Sequence, residues 1–462
     1  MNWLKKQALE RPEQKFINRL TFAQVYDQVN ELGQKLFPYV EKQSRVALYA
    51  NNSEKTLLFF LALQGLEKEV LMLNTRLNGA EIGLQLDRLQ TYQVFGEEAG
   101  VFPLAGKVFV PFHEVYEREP VDVVLAEEYR QEQIAVIMNT SATTGEFKSV
   151  PLRWKQFAAH VEASQKSLGV SGDDNWLMVL PVYHISGMTV LMRSLYNGTQ
   201  ITVMEKFQEK QVLELIEEGR INMVSLVPTM LNRMIDQIRS HRLRVVLLGG
   251  EFIPRPLVEK CLTKQIPIYK TYGMTETTSQ SATFSVLAHP EKIDAVGQPL
   301  PSVEIMIDQP DQTGIGEVHI KSPMLMEGYL GREPEKHREF FNTEDIGYKD
   351  QDGFLYILDR RKNIIISGGE NIYPKEIENV LYAHPQIAEC AVVGQQDAYW
   401  GRVPVLFVVS ALSAGEIRQY LTGKIAGYKM PKKIIYVEQL PRNASGKVQT
   451  NELEKWLVHD ED

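Results

Sequence analysis

Eight short apolar segments recur through the first three-fifths of the chain, each followed by a helix-like stretch or a turn: "SRVALYA", "EVLMLN", "QIAVIMN", "NWLMVL", "TQITVM", "NMVSLV", "LRVVLLGG" and "IPIYKTYG". They are apolar at successive rather than alternate positions. Strands of that kind are buried on both faces, and they belong to parallel sheets covered by helices. The expected fold class is therefore α/β, built in layers. A length of 462 residues exceeds the ~250–300 at which a single core stops growing, so at least two domains are required.

From about residue 290 the pattern changes to short strands punctuated by Pro and Gly, "SVEIMI", "GIGEVHI" and "GFLYILD", which predicts a smaller β-rich subdomain. A second boundary falls in "LDRRKNIIISGGENIYP", residues 358–374, where charges separate a strand from a new apolar segment. Beyond it "KEIENVLYAHP", "IAECAVVG", "VPVLFVVS", "AGEIRQYLTGKI" and "KKIIYVEQL" alternate helix and strand, enough for an independent α+β domain. The expected division is a large N-terminal domain, residues 1–361, and a small C-terminal domain, residues 362–462. The longest greasy run, "LLFFLAL" at 57–63, is far below the ~18 residues that span a bilayer and reads as a buried helix.

Charge and cysteine usage narrow the partners. A formal charge of −9 offers no general attraction to nucleic acid or anionic membranes, so small molecules are expected instead. Cys261 and Cys390 stand far apart with no CxxC spacing. Neither a disulfide framework nor a cysteine metal site is expected, and a reducing, cytoplasmic setting is. The oligomeric state is left open, a dimer included.

The stretch "TSATTGEFK" at 140–148 carries the first chemistry. It is expected to lie between the buried strand "QIAVIMN" and the helical "RWKQFAAHVEASQKSL". Backbone N–H groups, the hydroxyls of Thr140, Ser141, Thr143 and Thr144, the small Gly145 and the Lys148 ammonium would together suit a polyphosphate. The chain contains neither a Walker A loop nor a G-x-G-x-x-G fingerprint. A solvated Ser/Thr turn would look the same locally, so the company of other motifs decides. These are "LPVYHISG" with His184, "YGMTETT" with Glu276, "NTEDIGY" with Asp345 and "LPRNASGKVQ" with Lys447 before a final helix.

In this order the five motifs resemble the adenylate-forming superfamily of acyl-CoA synthetases, luciferases and peptide-synthetase adenylation domains, and the resemblance covers essentially the whole chain. It implies an AMP-forming acid:CoA ligase that uses ATP, Mg2+ and coenzyme A, with a C-terminal domain that is mobile. The 140–148 loop would wrap the β and γ phosphates. Tyr272 and Gly273 would lie against the adenine, with the "GGEF" turn bearing Gly250 and Glu251 on its other side. Glu276, with Thr275, would hold magnesium, and Asp345 and Arg360 would contact the ribose. Lys447 would bridge the attacking carboxylate and the α phosphate, and Lys362 would be the hinge. Gly368 and Gly369 would let the pantetheine arm of CoA pass close to the backbone, and His184 would wall the acyl pocket.

Two positions depart from the family pattern, where glycine is usual: Ala142 and Glu344. An alanine held at positive φ would be strained by roughly 1 kcal/mol, and Glu344 beside Asp345 would weaken ATP binding by like-charge repulsion. Within the superfamily, "MVLPVYHISGMTVLMRSL", "VSLVPTML" and "DRRKNIIISGGENIYP" are most similar to the o-succinylbenzoate:CoA ligases of menaquinone biosynthesis. The substrate implied is an aromatic dicarboxylic acid, and Arg193 is the candidate for its second charge, since a guanidinium binds a carboxylate with two hydrogen bonds. Another aryl- or fatty-acyl-CoA ligase and a non-catalytic nucleotide-binding relative remain the alternatives.

Overall fold

In the computed structural model, residues 2–98, 106–141, 147–332, 339–442 and 447–459 are described. The apolar segments become the strands of two sheets. One has six strands in the order Val108–Pro111, Gln93–Gly96, Arg45–Tyr49, Glu69–Met72, Ile134–Ser141 and Phe147–Arg153, all parallel except the last. The other has nine, and its centre is parallel: Ile268–Tyr272, Val245–Leu248, Met223–Leu226, Asn175–Met178, Gln200–Val203 and Lys15–Ile17. Every residue of Val245–Leu248 and Met223–Leu226 is buried, as strands covered on both faces require.

A single cluster of buried side chains contains Val46 and Leu48 of the first sheet and Trp176, Met178 and Ile201 of the second. The "LLFFLAL" segment supplies its middle: it lies in the helix Glu54–Gly65, whose residues from Thr56 onward are all buried. Among the described residues no helix is long and apolar enough to cross a membrane.

After the second sheet come four antiparallel strands, Glu304–Asp308, Gly316–Lys321, Phe341–Lys349 and Leu355–Arg360. A short turn, Arg361–Asn363, leads to a further five-stranded sheet centred on the long hairpin Ile387–Asp397 and Gly401–Ser410. The helices Pro374–Tyr382, Ala414–Leu421 and Thr450–His459 accompany it. Two hydrophobic clusters of this part draw only on residues from Ile365 onward.

One local expectation is corrected. The stretch 140–148 does not join a strand to a helix. It forms a hairpin, with Thr140 paired to Lys148 and Ser141 to Phe147, and the strand Phe147–Arg153 runs antiparallel before the helix Trp154–Leu168 begins. The helix N-terminus is thus a full strand away from the loop and lends it no dipole.

Candidate active site

Parallel neighbours deliver their carboxyl ends to one edge, and that edge is where open α/β sheets bind ligands. Val245–Leu248 ends in the Gly249–Gly250–Glu251–Phe252 turn, and Ile268–Tyr272 ends in Gly273 and the short turn Thr275–Thr277. Gly250 and Glu251 thus leave the sheet at the same end as Tyr272, Gly273, Thr275 and Glu276. Gly273 admits no side chain: a Cβ there would stand 1.6 Å from the Ser279 carbonyl oxygen.

The β-rich subdomain reaches the same edge. Asp345, 5% exposed, accepts a hydrogen bond from the Tyr272 phenol at 2.6 Å and pairs with Arg360 Nε at 3.2 Å. Asp345 and Arg360 face each other across neighbouring strands, so the pair is a product of register. Burial raises the Asp345 pKa, and Arg360 and Tyr272 oppose that rise. Burial, then the Asp345 charge, holds Tyr272 protonated well above the ordinary phenol range. Glu344 has φ of +62° and an exposed side chain, whereas Asp345 is buried. Neighbouring residues of a strand face opposite ways, so the expected repulsion at the ribose side is relieved. The Glu344 field reaches Lys362 instead.

Lys447 arrives from the C-terminal part. The residue as a whole is exposed, yet its ammonium is enclosed: burial first, then Arg360, lowers its pKa, against the opposing carboxylates of Glu251, Asp345 and Glu276. The same ammonium acts on His184, whose pKa burial pushes down to about 4, with Lys447 and Arg76 adding to the effect. His184 occupies the N-cap of the helix Ile185–Asn197, with Ser186 and Gly187 in the first helical turn. Its ring stands edge-on to Tyr183, and its Nε2 is buried without a hydrogen-bond partner among the described residues.

Glu276 Oε1 accepts a hydrogen bond from the Tyr329 phenol at 2.9 Å, and the Lys148 ammonium lies 5.1 Å from the centre of the Tyr329 ring. Sequence reasoning missed Tyr329, which sits in an irregular "EGYLGR" connector with no periodicity to single it out. Thr140 Oγ1 donates to the Lys148 carbonyl at 3.4 Å. Thr143, Thr144, Gly145 and the departing Ala142 lie outside the described residues, as does the side chain of Ser141. Among the described residues no three His, Cys, Asp or Glu gather to hold a metal. A single carboxylate such as Glu276 nevertheless fits magnesium, which keeps several waters and binds through one or two carboxylates plus substrate phosphates.

Arg193 is buried, 2% exposed, in the helix that His184 caps. Its Nε donates to Ser164 Oγ at 3.0 Å, its Nη2 donates to Gln280 Oε1 at 2.7 Å and approaches His160 Nε2 at 3.3 Å, and its guanidinium lies 5.0 Å from the centre of the Trp176 ring. All those partners are neutral. Its Nη1 has none among the described residues, and burial lowers its pKa to about 9. A buried cation without a carboxylate is costly, and this one stands where an anion would relieve it.

Lys362 lies in the Arg361–Asn363 turn, where burial, then Arg360, lowers its pKa. Gly368 and Gly369 have φ of +58° and +87°, and a Cβ on Gly368 would meet the Trp400 ring at 2.7 Å. The contacts of Gly368, including its N–H bond to the Trp400 carbonyl at 2.8 Å, stay within the C-terminal part.

The family model "AMP-binding enzyme" matches residues 3–330, and "AMP-binding enzyme C-terminal domain" matches residues 376–447. The 2-succinylbenzoate–CoA ligase of Lactococcus lactis is 51% identical over 455 residues, which cover 98% of this chain and 100% of that one. The o-succinylbenzoate CoA synthetase of Bacillus subtilis, solved with its acyl-adenylate intermediate, is 33% identical over 98% of both chains with a TM-score of 0.92. Its complex with ATP and magnesium ion gives 0.91 at 33% identity, covering 98% of this chain and 99% of that one. A double mutant of the same enzyme bound to a product analogue gives 0.76, also at 33% identity and covering 98% of this chain and 97% of that one.

Proposed function

The chain belongs to the AMP-binding enzyme family, and from that premise we propose that it is an ATP-dependent ligase that joins 2-succinylbenzoate to coenzyme A through an acyl-adenylate, in menaquinone biosynthesis. The observation that carries this reading is the meeting of Lys447 with Glu251, Glu276, Asp345 and Arg360 at the carboxyl edge of the nine-stranded sheet. Residues 1–361 form the nucleotide- and acid-binding part, and residues 362–462 the part that delivers the lysine.

In the first half-reaction a substrate carboxylate oxygen attacks the α phosphorus of ATP, the bond from that phosphorus to the α,β-bridging oxygen breaks, and pyrophosphate leaves. A carboxylate is a weak nucleophile that needs no base, so the demand on the protein is charge neutralisation and alignment. Lys447 bridges the attacking carboxylate and the α phosphate. The 140–148 hairpin holds the β and γ phosphates, the Gly250–Glu251 turn and Tyr272–Gly273 flank the base, and Asp345 and Arg360 hold the ribose. A magnesium ion held by Glu276, with Thr275 beside it, and by the phosphates would neutralise charge on the leaving group. In the second half-reaction the CoA thiolate attacks the acyl carbon, AMP leaves, and a thioester remains. For that step the C-terminal part turns about Lys362, withdraws Lys447 and brings the Gly368–Gly369 turn to the thiol arm.

The acid carries two carboxylates, one activated and one to be held. His184 and Arg193 sit nine residues apart on one helix, ~13 Å along its axis. Neutral His184 walls the reacting end, and Arg193, whose partners are all neutral, takes the second charge at the far end. The substrates are those of the cytoplasm, where we place the enzyme.

The test is pyrophosphate release and thioester formation with ATP, magnesium and CoA across 2-succinylbenzoate, benzoate, a medium-chain fatty acid and amino acids, run on the native chain and on Arg193→Gln. The native chain prefers 2-succinylbenzoate. Arg193→Gln loses roughly 30-fold or more of kcat/KM on it, the worth of a desolvated charge pair, with benzoate spared. Best turnover with another acid would discard the substrate, and an unchanged preference in the variant would discard the role of Arg193.

A further inference from the structure

The connector at 324–330 is fastened on two sides. Toward the turn bearing Glu276, the Met326 N–H donates to the Glu276 carbonyl at 2.9 Å and Thr278 Oγ1 donates to the Met324 carbonyl at 2.7 Å. Toward the strand and helix that follow the phosphate hairpin, the Leu330 N–H donates to the Ser149 carbonyl at 2.9 Å, Gln156 Nε2 donates to the Leu325 carbonyl at 3.0 Å, and Glu327 pairs with Arg153 and Lys155. Tyr329 lies within this strap and presents one chemical group to each side. Its phenol donates to Glu276 Oε1, and its ring receives the Lys148 ammonium, with the Arg332 guanidinium 5.8 Å from the same ring.

We propose that Tyr329 is a positioning residue that couples the two halves of the nucleotide site, orienting the Glu276 carboxylate for the magnesium-bound phosphates and holding Lys148 over them. The inference rests on the roles given above to Glu276 and Lys148. Its physical content is the division of one carboxylate. A phenolic O–H on Oε1 fixes the rotation of the group and leaves Oε2 to face a cation, the way partners behind a metal ligand set its direction. The ring does the corresponding work for the lysine: the negative face of an aromatic ring attracts an ammonium without neutralising it. Lys148 therefore keeps its full charge for an anion. Because strap, strand and turn are stitched by main-chain hydrogen bonds, a shift on one side is passed to the other.

The test separates the phenol from the ring. Equilibrium binding of ATP, with no acid present and hence no turnover, is followed by calorimetry across a range of magnesium concentrations for the native enzyme, Tyr329→Phe, Tyr329→Leu and Glu276→Gln, with thermal melts to establish folding. Tyr329→Phe is expected to raise the magnesium concentration for half-maximal enhancement of ATP binding about tenfold, while magnesium-free ATP binding stays as in the native enzyme. Tyr329→Leu also weakens magnesium-free binding, because Lys148 loses its ring. A packing role alone would lower the melting temperature and leave the magnesium midpoint in place. If Glu276→Gln moves the midpoint and Tyr329→Phe does not, the coupling is overturned while the role of Glu276 stands. If Glu276→Gln leaves the midpoint in place, the role of Glu276 fails, and the proposal about Tyr329 fails with it.

Discussion

Burial keeps two histidines of this molecule from taking up a proton: His184 at the N-cap of the helix Ile185–Asn197, with its pKa pushed down to about 4, and His160 against Arg193, lowered well below its ordinary value. An unfolded chain accepts those protons near pH 6.5. Between pH 6.5 and 4 the unfolded state thus binds more protons than the folded one, and stability falls as pH falls through that window. Native enzyme is expected to lose on the order of 1–2 kcal/mol more than His184→Asn between pH 7.5 and pH 5, read from urea midpoints. Equal losses in the two would contradict the burial of a neutral ring. At this scale residue type alone was enough to single out Lys447, Glu276, Asp345 and Arg193 as candidates, because each carries its own chemistry. It was silent on Tyr329 and Gln280, which act through what they touch: a phenol on Glu276 and an amide oxygen on Arg193. The positive φ of Glu344 had no signal in the residue itself; only the family's usual glycine at that position pointed to it.

At the scale of elements, the parallel strands were legible because burial on both faces leaves a continuous apolar run. The strand Phe147–Arg153 was not, because it stands at the edge of its sheet, where Pro151 and charged residues are tolerated and the run is broken. A second device hidden from the sequence is the start of the helix Pro374–Tyr382. Its N-cap residue, Tyr373, provides no side-chain cap, and the carboxylate of Asp359, from the strand before the Arg361–Asn363 turn, accepts from the Lys375 N–H at 3.1 Å instead. Asp359 also accepts from the Arg360 N–H and from Asn363 Nδ2. Its carboxylate thus ties the last strand of the large part to the first helix of the small one. Asp359→Ala should cost about 1 kcal/mol and speed amide exchange in the first turn of that helix, with Asp359→Asn retaining most of the protection. Unchanged exchange in Asp359→Ala would show that the cap is dispensable.

In the whole molecule the Arg361–Asn363 turn stands between the four antiparallel strands and the five-stranded sheet, and no reading of linear spacing could have placed Lys447 beside Glu276. The resemblance of five motifs implied that, and the fold gives the reason: parallel strands end along one edge, and Lys447 reaches the Glu251 and Glu276 carboxylates there. If one lysine serves the first half-reaction alone, the two halves of the reaction must respond differently to its loss. The decisive measurement is Lys447→Ala assayed for each half-reaction, by pyrophosphate release from ATP and acid and by thioester formation from pre-formed acyl-adenylate and CoA. The account predicts a loss of roughly 100-fold or more in pyrophosphate release with thioester formation near that of the native enzyme. An equal loss in both, in a folded variant, would contradict it.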